Sequence, residues 1–319
     1  MIFTYCILLL DSRVMRMSKN YIIEVNNLTK RYGKTKALDN LCLRVPEGSI
    51  YGLIGKNGAG KTTLIRILCG LQLPSRGGFF ICGVKNDDKN IYLVRKNLGA
   101  IVETCSLYLE KTAYENMVLQ ATLCGVKDKK KLLDLLNLVN LENNNKKVKN
   151  FSLRMRERLG IAMTLINDAK ILVLDEPTNG LDPIGISDIR NVILKLNQEY
   201  NITFIISSHY LDELSKVATN YGFIEKGSLL EEISKKDLMA KLEKKILIKV
   251  NKNKVLQDYF KQEKIKFKLK DNVFIINNSL NINKMVLFLD KNNCQVLDIT
   301  REEESLEEYF LEKVGGKNA

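Results

Sequence analysis

Gly55-Lys56-Asn57-Gly58-Ala59-Gly60-Lys61-Thr62 reads as G-x-x-x-x-G-K-[ST], set between the short apolar run Ile50 to Ile54 and the helically patterned segment Lys61 to Cys69. Glycines let a chain curl so that successive N–H groups, and the N-terminus of the helix that follows, face a single phosphate. A lysine at position 61 then reaches the outer phosphates of a nucleotide, and the Thr62 hydroxyl supplies an oxygen to Mg2+. Strand, loop and helix in that order predict an α/β fold built around a phosphate site.

Further along, Ile171 to Leu174 delivers Asp175 and Glu176 at the end of an apolar strand, and a phosphate site needs such a pair. One carboxylate holds the metal, directly or through water, and the other orients and deprotonates a water aimed at the terminal phosphate. Ile202 to Ile206 is a second unbroken apolar run, which with the helix-sized segment between them gives the pattern of parallel strands buried on both faces. After it and the Ser207-Ser208 step comes His209, the only histidine, at the carboxyl end where such sheets bind ligands. Strands are also expected at Tyr21 to Val25 and Leu41 to Val45. In the middle, Thr112 and Glu115 form a capping box, Leu132, Leu135, Leu136 and Val139 mark a helical stripe, and Ser152 caps a helix to about Ile166.

Beyond Gly227 the texture changes. Ile246 to Val250, Lys252 to Gln262, Lys264 to Leu269, Asn272 to Ile276, Asn281 to Lys291 and Gln295 to Ile299 read β-α-β-β-α-β, a small α+β domain with the order of a ferredoxin-like unit. Ser305 and Glu308 would cap a closing helix. The expected organisation is a non-native or disordered extension at residues 1–16, a nucleotide-binding domain at 17–230 with a helical subdomain at about 104–165, and an accessory domain at 231–319.

The 319 residues carry 50 Lys+Arg and 37 Asp+Glu, a net +13, with 45% apolar residues, enough to exclude a mainly disordered chain. Residues 241–319 hold 16 basic and 12 acidic side chains, net +4, which leaves +9 for the rest. So diffuse a charge does not predict a nucleic-acid partner. Seven cysteines without a C-x-x-C pair, beside one histidine, predict reduced thiols. Ile2 to Leu10 is nine residues where a membrane helix needs about 20. It lacks the basic flank and cleavage site of a signal peptide. Translation from Met15 or Met17 is expected, and finding residues 1–14 in the native protein by mass spectrometry would overturn that.

From about Tyr21 to Gly227 the chain resembles the nucleotide-binding domain of an ABC transporter, on the motifs quoted. The resemblance implies ATP and Mg2+ as ligands, with Gly55 through Thr63 (Lys56 standing where proline is common) around the phosphates and Tyr32 stacked on adenine. Lys61, Glu176 and His209 become the catalytic residues; Thr62, Asp175 and Glu103 hold the metal. Glu103 falls where the family usually has glutamine. Phe151-Ser152-Leu153-Arg154-Met155 falls on the signature L-S-G-G-Q, and Asp182 on a loop that crosses to a second subunit. Ser152 and Arg154 would then face the nucleotide of the opposite copy. Arg154 replaces a glycine that permits close backbone approach, so slow turnover is expected. Within the superfamily, Glu103, Met155 and Arg158 to Ala162 are most similar to bacitracin and lantibiotic self-protection exporters. That implies an ATPase acting as a homodimer on a separate membrane permease at the inner face of the membrane. The alternatives are a regulatory ATP-binding subunit without turnover and a nucleic-acid-associated ATPase. Lys61 and Ser152 lie only 91 positions apart, which leaves no room for the long coiled coils of chromosome-maintenance relatives.

Overall fold

The computed structural model describes residues 21–142, 145–242, 244–277, 280–303 and 305–315; the extension expected at 1–16 lies outside them. The chain divides into two units, the first ending at Ser234 and the second starting at Lys235.

In the first unit, β1 (Tyr21–Tyr32) and β2 (Thr35–Pro46) form a hairpin, followed by β3 (Ile50–Ile54), α1 (Lys61–Leu68), β4 (Arg76–Ile81), β5 (Val84–Lys85), α2 (Ile91–Arg95) and β6 (Leu98–Ile101). Helices α3 (Ala113–Cys124), α4 (Lys129–Leu138) and α5 (Leu153–Thr164) make the helical middle. Then come β7 (Ile171–Asp175), α6 (Pro183–Tyr200), β8 (Thr203–Ser208), α7 (Leu211–Ser215), β9 (Asn220–Glu225) and β10 (Ser228–Ser234). An antiparallel sheet of order β2-β1-β4-β5 accompanies a six-stranded sheet of order β10-β9-β3-β8-β7-β6. In the latter all pairs are parallel except β9 with β10.

Every residue of β3, β7 and β8 is buried, which is why these strands read as continuous apolar runs. Their register decides where the chemistry falls. Ile54 pairs with Ser208 and Asp175 with Ser207, so the carboxyl ends of β3, β7 and β8 lie level and launch Gly55, Glu176 and His209 from one edge. The first hairpin is longer than its apolar runs suggest, because Asn27 and Asn40 at positive φ break the alternation of inward and outward residues while pairing continues through irregular register. The capping box of Thr112 and Glu115 and the cap of Ser152 on α5 form as expected.

The second unit contains α8 (Lys235–Lys241), β11 (Lys244–Val250), α9 (Asn253–Gln262), β12 (Phe267–Lys270), β13 (Val273–Asn277), α10 (Ile282–Lys291), β14 (Val296–Glu303) and α11 (Leu306–Gly315). Its antiparallel sheet has the order β12-β13-β11-β14. Numbered within β-α-β-β-α-β this is 2-3-1-4, the ferredoxin-like arrangement. Ile246, Ile248, Phe274 and Ile276 pack against Leu256 and Phe260 of α9 and Met285 and Leu289 of α10. Strand β12 begins at Phe267, not Lys264, because the amides of Lys264 and Ile265 donate to the carbonyls of Lys261 and Phe260 and complete the end of α9. Ser305 and Glu308 exchange the two bonds of a capping box on α11.

The six described cysteines are free thiols. Burial pushes Cys69 and Cys105 up to about 12, so they are protonated packing groups and poor nucleophiles.

Candidate active site

Gly60 adopts φ +110, and no side chain caps α1. The first amides of α1 are therefore left for an anion. A Cβ on Gly60 would lie 2.5 Å from the carbonyl oxygen of Ala37 and 2.9 Å from Leu38, and one on Gly55 would lie 2.5 Å from the Ile224 carbonyl. Gly60→Ala should therefore distort the loop at a cost on the order of 1–3 kcal/mol, read as a lower urea midpoint together with weaker ATP binding. An unchanged midpoint and affinity would contradict this account of the loop.

Lys61 is 6% exposed, and its Nζ donates to the carbonyls of Gly55 at 2.6 Å and Lys56 at 3.4 Å while lying 3.3 Å from Glu176 Oε1. A buried ammonium requires such oxygens. Glu176 in turn sits 2.6 Å through Oε2 from Nδ1 of His209. Its backbone is left-handed, φ +52, held there by its N–H donating to the carbonyl and the Oγ of Ser207. A non-glycine residue in that conformation is strained, and here the strain aims a carboxylate into the cleft.

Asp175 is 3% exposed and accepts from Thr62 Oγ1 at 2.8 Å and from Ser207 Oγ at 2.5 Å. Two hard oxygens at the first turn of α1 form a donor set that suits Mg2+, which takes few protein oxygens and keeps the rest for water and phosphate. A cleft of about 260 Å³ is lined by Lys56 through Thr63 together with Ala37, Glu176, Asn179 and His209. Phosphate loop, carboxylates and histidine, far apart in sequence, are thus brought together.

The other expected residues lie apart from this cleft. Tyr32, half exposed, hydrogen-bonds Gln72 through its hydroxyl, and Lys30 Nζ stands 5.2 Å from its ring centre. Glu103, at φ +66 and 59% exposed, pairs with Arg66, one helical turn beyond Thr62 on α1. Ser152 accepts from the Met155 amide, and Asp182 caps α6 by accepting from Gly185 at 3.0 Å. The starts of α5 and α6 pack closely: a Cβ on Gly185 would lie 3.3 Å from Cβ of Arg154. From there the Arg154 guanidinium reaches along α6 to Asp188, at 3.8 Å. Sequence reasoning passed over Ser207 and Asn179. Ser207 was legible only as the first half of the Ser-Ser step before the sole histidine; its role in holding both carboxylate residues needs the β7–β8 register.

Comparison with known proteins identifies the family. The ABC transporter family model matches residues 38–179. The chain is 39% identical to a bacitracin transport ATP-binding protein of Bacillus licheniformis over 300 residues, covering 92% of this chain and 98% of the relative. It is 43% identical to a lantibiotic transport ATP-binding protein of Streptococcus pyogenes, over 66% of this chain and 90% of the relative. Among solved structures, a dimeric post-hydrolysis state of the ATP-binding cassette MJ0796 bound to ADP and Pi is similar at 26% identity and a TM-score of 0.59, covering 67% of this chain and 98% of that one. CbiO1 of Clostridium perfringens is similar at 25% identity and a TM-score of 0.64, covering 76% and 96%. This chain belongs to the ABC transporter family, as an ATP-binding subunit of its ATPase class.

Proposed function

We propose that the protein binds and hydrolyses MgATP between two copies of itself and so drives a separate membrane permease that exports, or confers immunity to, antimicrobial peptides of the bacitracin and lantibiotic kind. The observation that carries this reading is the Lys61–Glu176–His209 cluster beside Thr62 and Asp175, in a chain that matches a bacitracin transport ATP-binding protein over nearly its full length. No described helix is long and apolar enough to cross a membrane, which is why a separate permease enters the proposal.

The amides of the phosphate loop and of α1 bind the phosphates, and Lys61 binds the outermost. That phosphate competes with Glu176 for the ammonium, leaving the Glu176 carboxylate to His209 and to a water. From Oε1 or Oε2, Glu176 orients that water and takes its proton as the oxygen attacks phosphorus. His209 positions Glu176 through Nδ1. Mg2+, when bound, neutralises charge on the phosphates, and Thr62 and Asp175 are the residues to hold it, with Glu103 proposed beside them. Tyr32 is proposed as the platform for adenine. Ser152 and the amides at the start of α5 contact the nucleotide of the opposite copy, with Asp182 on the neighbouring loop. ATP closing this interface and hydrolysis releasing it is a two-state switch to which a permease can couple.

The Arg154 guanidinium lies 3.8 Å from Asp188 on α6, and an arginine turned that way would leave the start of α5 accessible to phosphate. Arg154→Gly is expected to change ATP turnover by less than about fivefold, the equivalent of ~1 kcal/mol from an exposed ion pair. A larger rise would show that this side chain obstructs the interface. The reading as a whole is tested by expressing the chain with a six-span permease in a sensitive host. Raised tolerance to bacitracin or a lantibiotic that vanishes with Lys61→Ala supports it; tolerance that survives Lys61→Ala, or never appears, contradicts it.

A further inference from the structure

Five lysines of the second unit share one face of its sheet. In Lys264-Ile265-Lys266-Phe267-Lys268-Leu269-Lys270 lysine alternates with apolar residues. The pairing of Lys268 with Ile275 and of Ile275 with Leu247 sets Lys266, Lys268 and Lys270 on the sheet face opposite α9 and α10. The central strand β11 adds Lys245 and Lys249 to that face, two strands away and about 10 Å from the first row. None of these five makes an ion pair with another described residue within 4.0 Å, and all but the half-buried Lys245 are exposed. Lys245 and Lys249 stand directly opposite Glu302 and Asp298 of β14, so the uncompensated charge of this face lies along β12.

Strand β12 is also an edge with unmet demands. Among the described residues it pairs with β13 alone, so half of its backbone N–H and C=O groups point away from the sheet. On its other side Ile265 and Phe267 are only half buried, and Leu269 is 43% exposed. A concavity of about 620 Å³ opens mainly on the lysine face, lined there by Lys245, Lys266, Lys268 and Ile275, and reaches Ile265 and Phe267 along β12. Lysines on one side, incompletely covered apolar side chains on the other and free ladder groups between them describe the complement of a strand in which acidic and apolar residues alternate.

From this juxtaposition we infer that β12 is a docking edge for an extended acidic polypeptide segment, which adds as a fifth strand with its carboxylates opposite Lys266, Lys268 and Lys270 and its apolar side chains against Ile265, Phe267 and Leu269. Another copy of β12 is rejected, since it sets lysine against lysine. RNA fits less well, because no described side chain on the basic face is aromatic or arginine to stack a base or fork a phosphate. A bilayer fits less well too, because a planar anionic surface would press on Asp298 and Glu302 of β14, which share this face, and would leave the β12 backbone unmatched.

The test uses the full chain and a fluorescein-labelled peptide of alternating glutamate and valine, read by anisotropy. Saturable binding is expected, weakened about tenfold or more by Lys266→Glu/Lys268→Glu/Lys270→Glu, and lost when alternate peptide amides are N-methylated or when the same residues are arranged as a glutamate block and a valine block. ATP turnover of the triple variant should match that of the parent chain, which reports on the nucleotide site, and an unchanged urea midpoint followed by circular dichroism should show that the second unit stays folded. The inference is overturned by no peptide binding, by binding indifferent to the triple reversal or to N-methylation, or by tighter, reversal-sensitive binding to phosphatidylglycerol vesicles or single-stranded RNA.

Discussion

Lys61→Ala is expected to weaken ATP binding by on the order of 10²-fold or more and to abolish turnover at accessible nucleotide concentrations. The ammonium is almost fully buried and already satisfied by two carbonyls and a carboxylate, so its position is fixed before any phosphate arrives. Charge-assisted bonds contribute about 1.5–3 kcal/mol each, and two to phosphate oxygens account for the expected loss. The substitution also leaves the Gly55 carbonyl without its donor and Glu176 without its cation. The loop should therefore loosen, and circular dichroism at matched temperature separates loss of binding from loss of fold. Titration with a fluorescent ATP analogue is the direct readout. Affinity within about threefold of the parent chain would mean that phosphate is not held at Lys61 at all.

Glu176→Gln should act in the opposite sense on binding. The amide keeps the size and one oxygen of the carboxylate, so the strained backbone held by Ser207 has no reason to relax. Its competition with phosphate for Lys61 falls, and affinity for ATP is retained or raised. What disappears is the base. General-base catalysis contributes about 10²–10⁴ in rate, so turnover should fall by at least ~10²-fold while ATP accumulates on the protein. If closure of two copies depends on ATP, this variant should elute as a dimer with MgATP and as a monomer with MgADP. His209→Ala removes only the group positioning Glu176 and should leave more residual turnover than Glu176→Gln.

The fold was legible where one residue pattern had one structural solution. Ile50 to Ile54, Ile171 to Leu174 and Ile202 to Ile206 are buried on both faces, and nothing but a covered parallel sheet accommodates three such runs around a phosphate loop. The capping pairs at Thr112 and Ser305 were equally plain, since their bonds close within four residues. Long-range pairing was not legible. Strands β1 and β2 continue past the asparagines that hide their period, and β9 and β10 lie in stretches whose apolar content is unremarkable. Within the site, residue types revealed Lys61, Thr62, Asp175, Glu176 and His209. The orienting part of Ser207 came from register alone. For Arg154 the motif implies a residue facing the nucleotide of an opposite copy, whereas the contact its guanidinium makes, with Asp188 thirty-four residues away, is not encoded in the motif.

The most direct test of the central claim, that this cleft hydrolyses ATP with Glu176 as the base, is inorganic phosphate release by the purified chain with ATP and Mg2+, run beside Glu176→Gln at saturating nucleotide. The account predicts steady release from the parent chain and a fall of at least ~10²-fold in a variant that still binds ATP. Equal release from both proteins, or none from the parent chain, would contradict it.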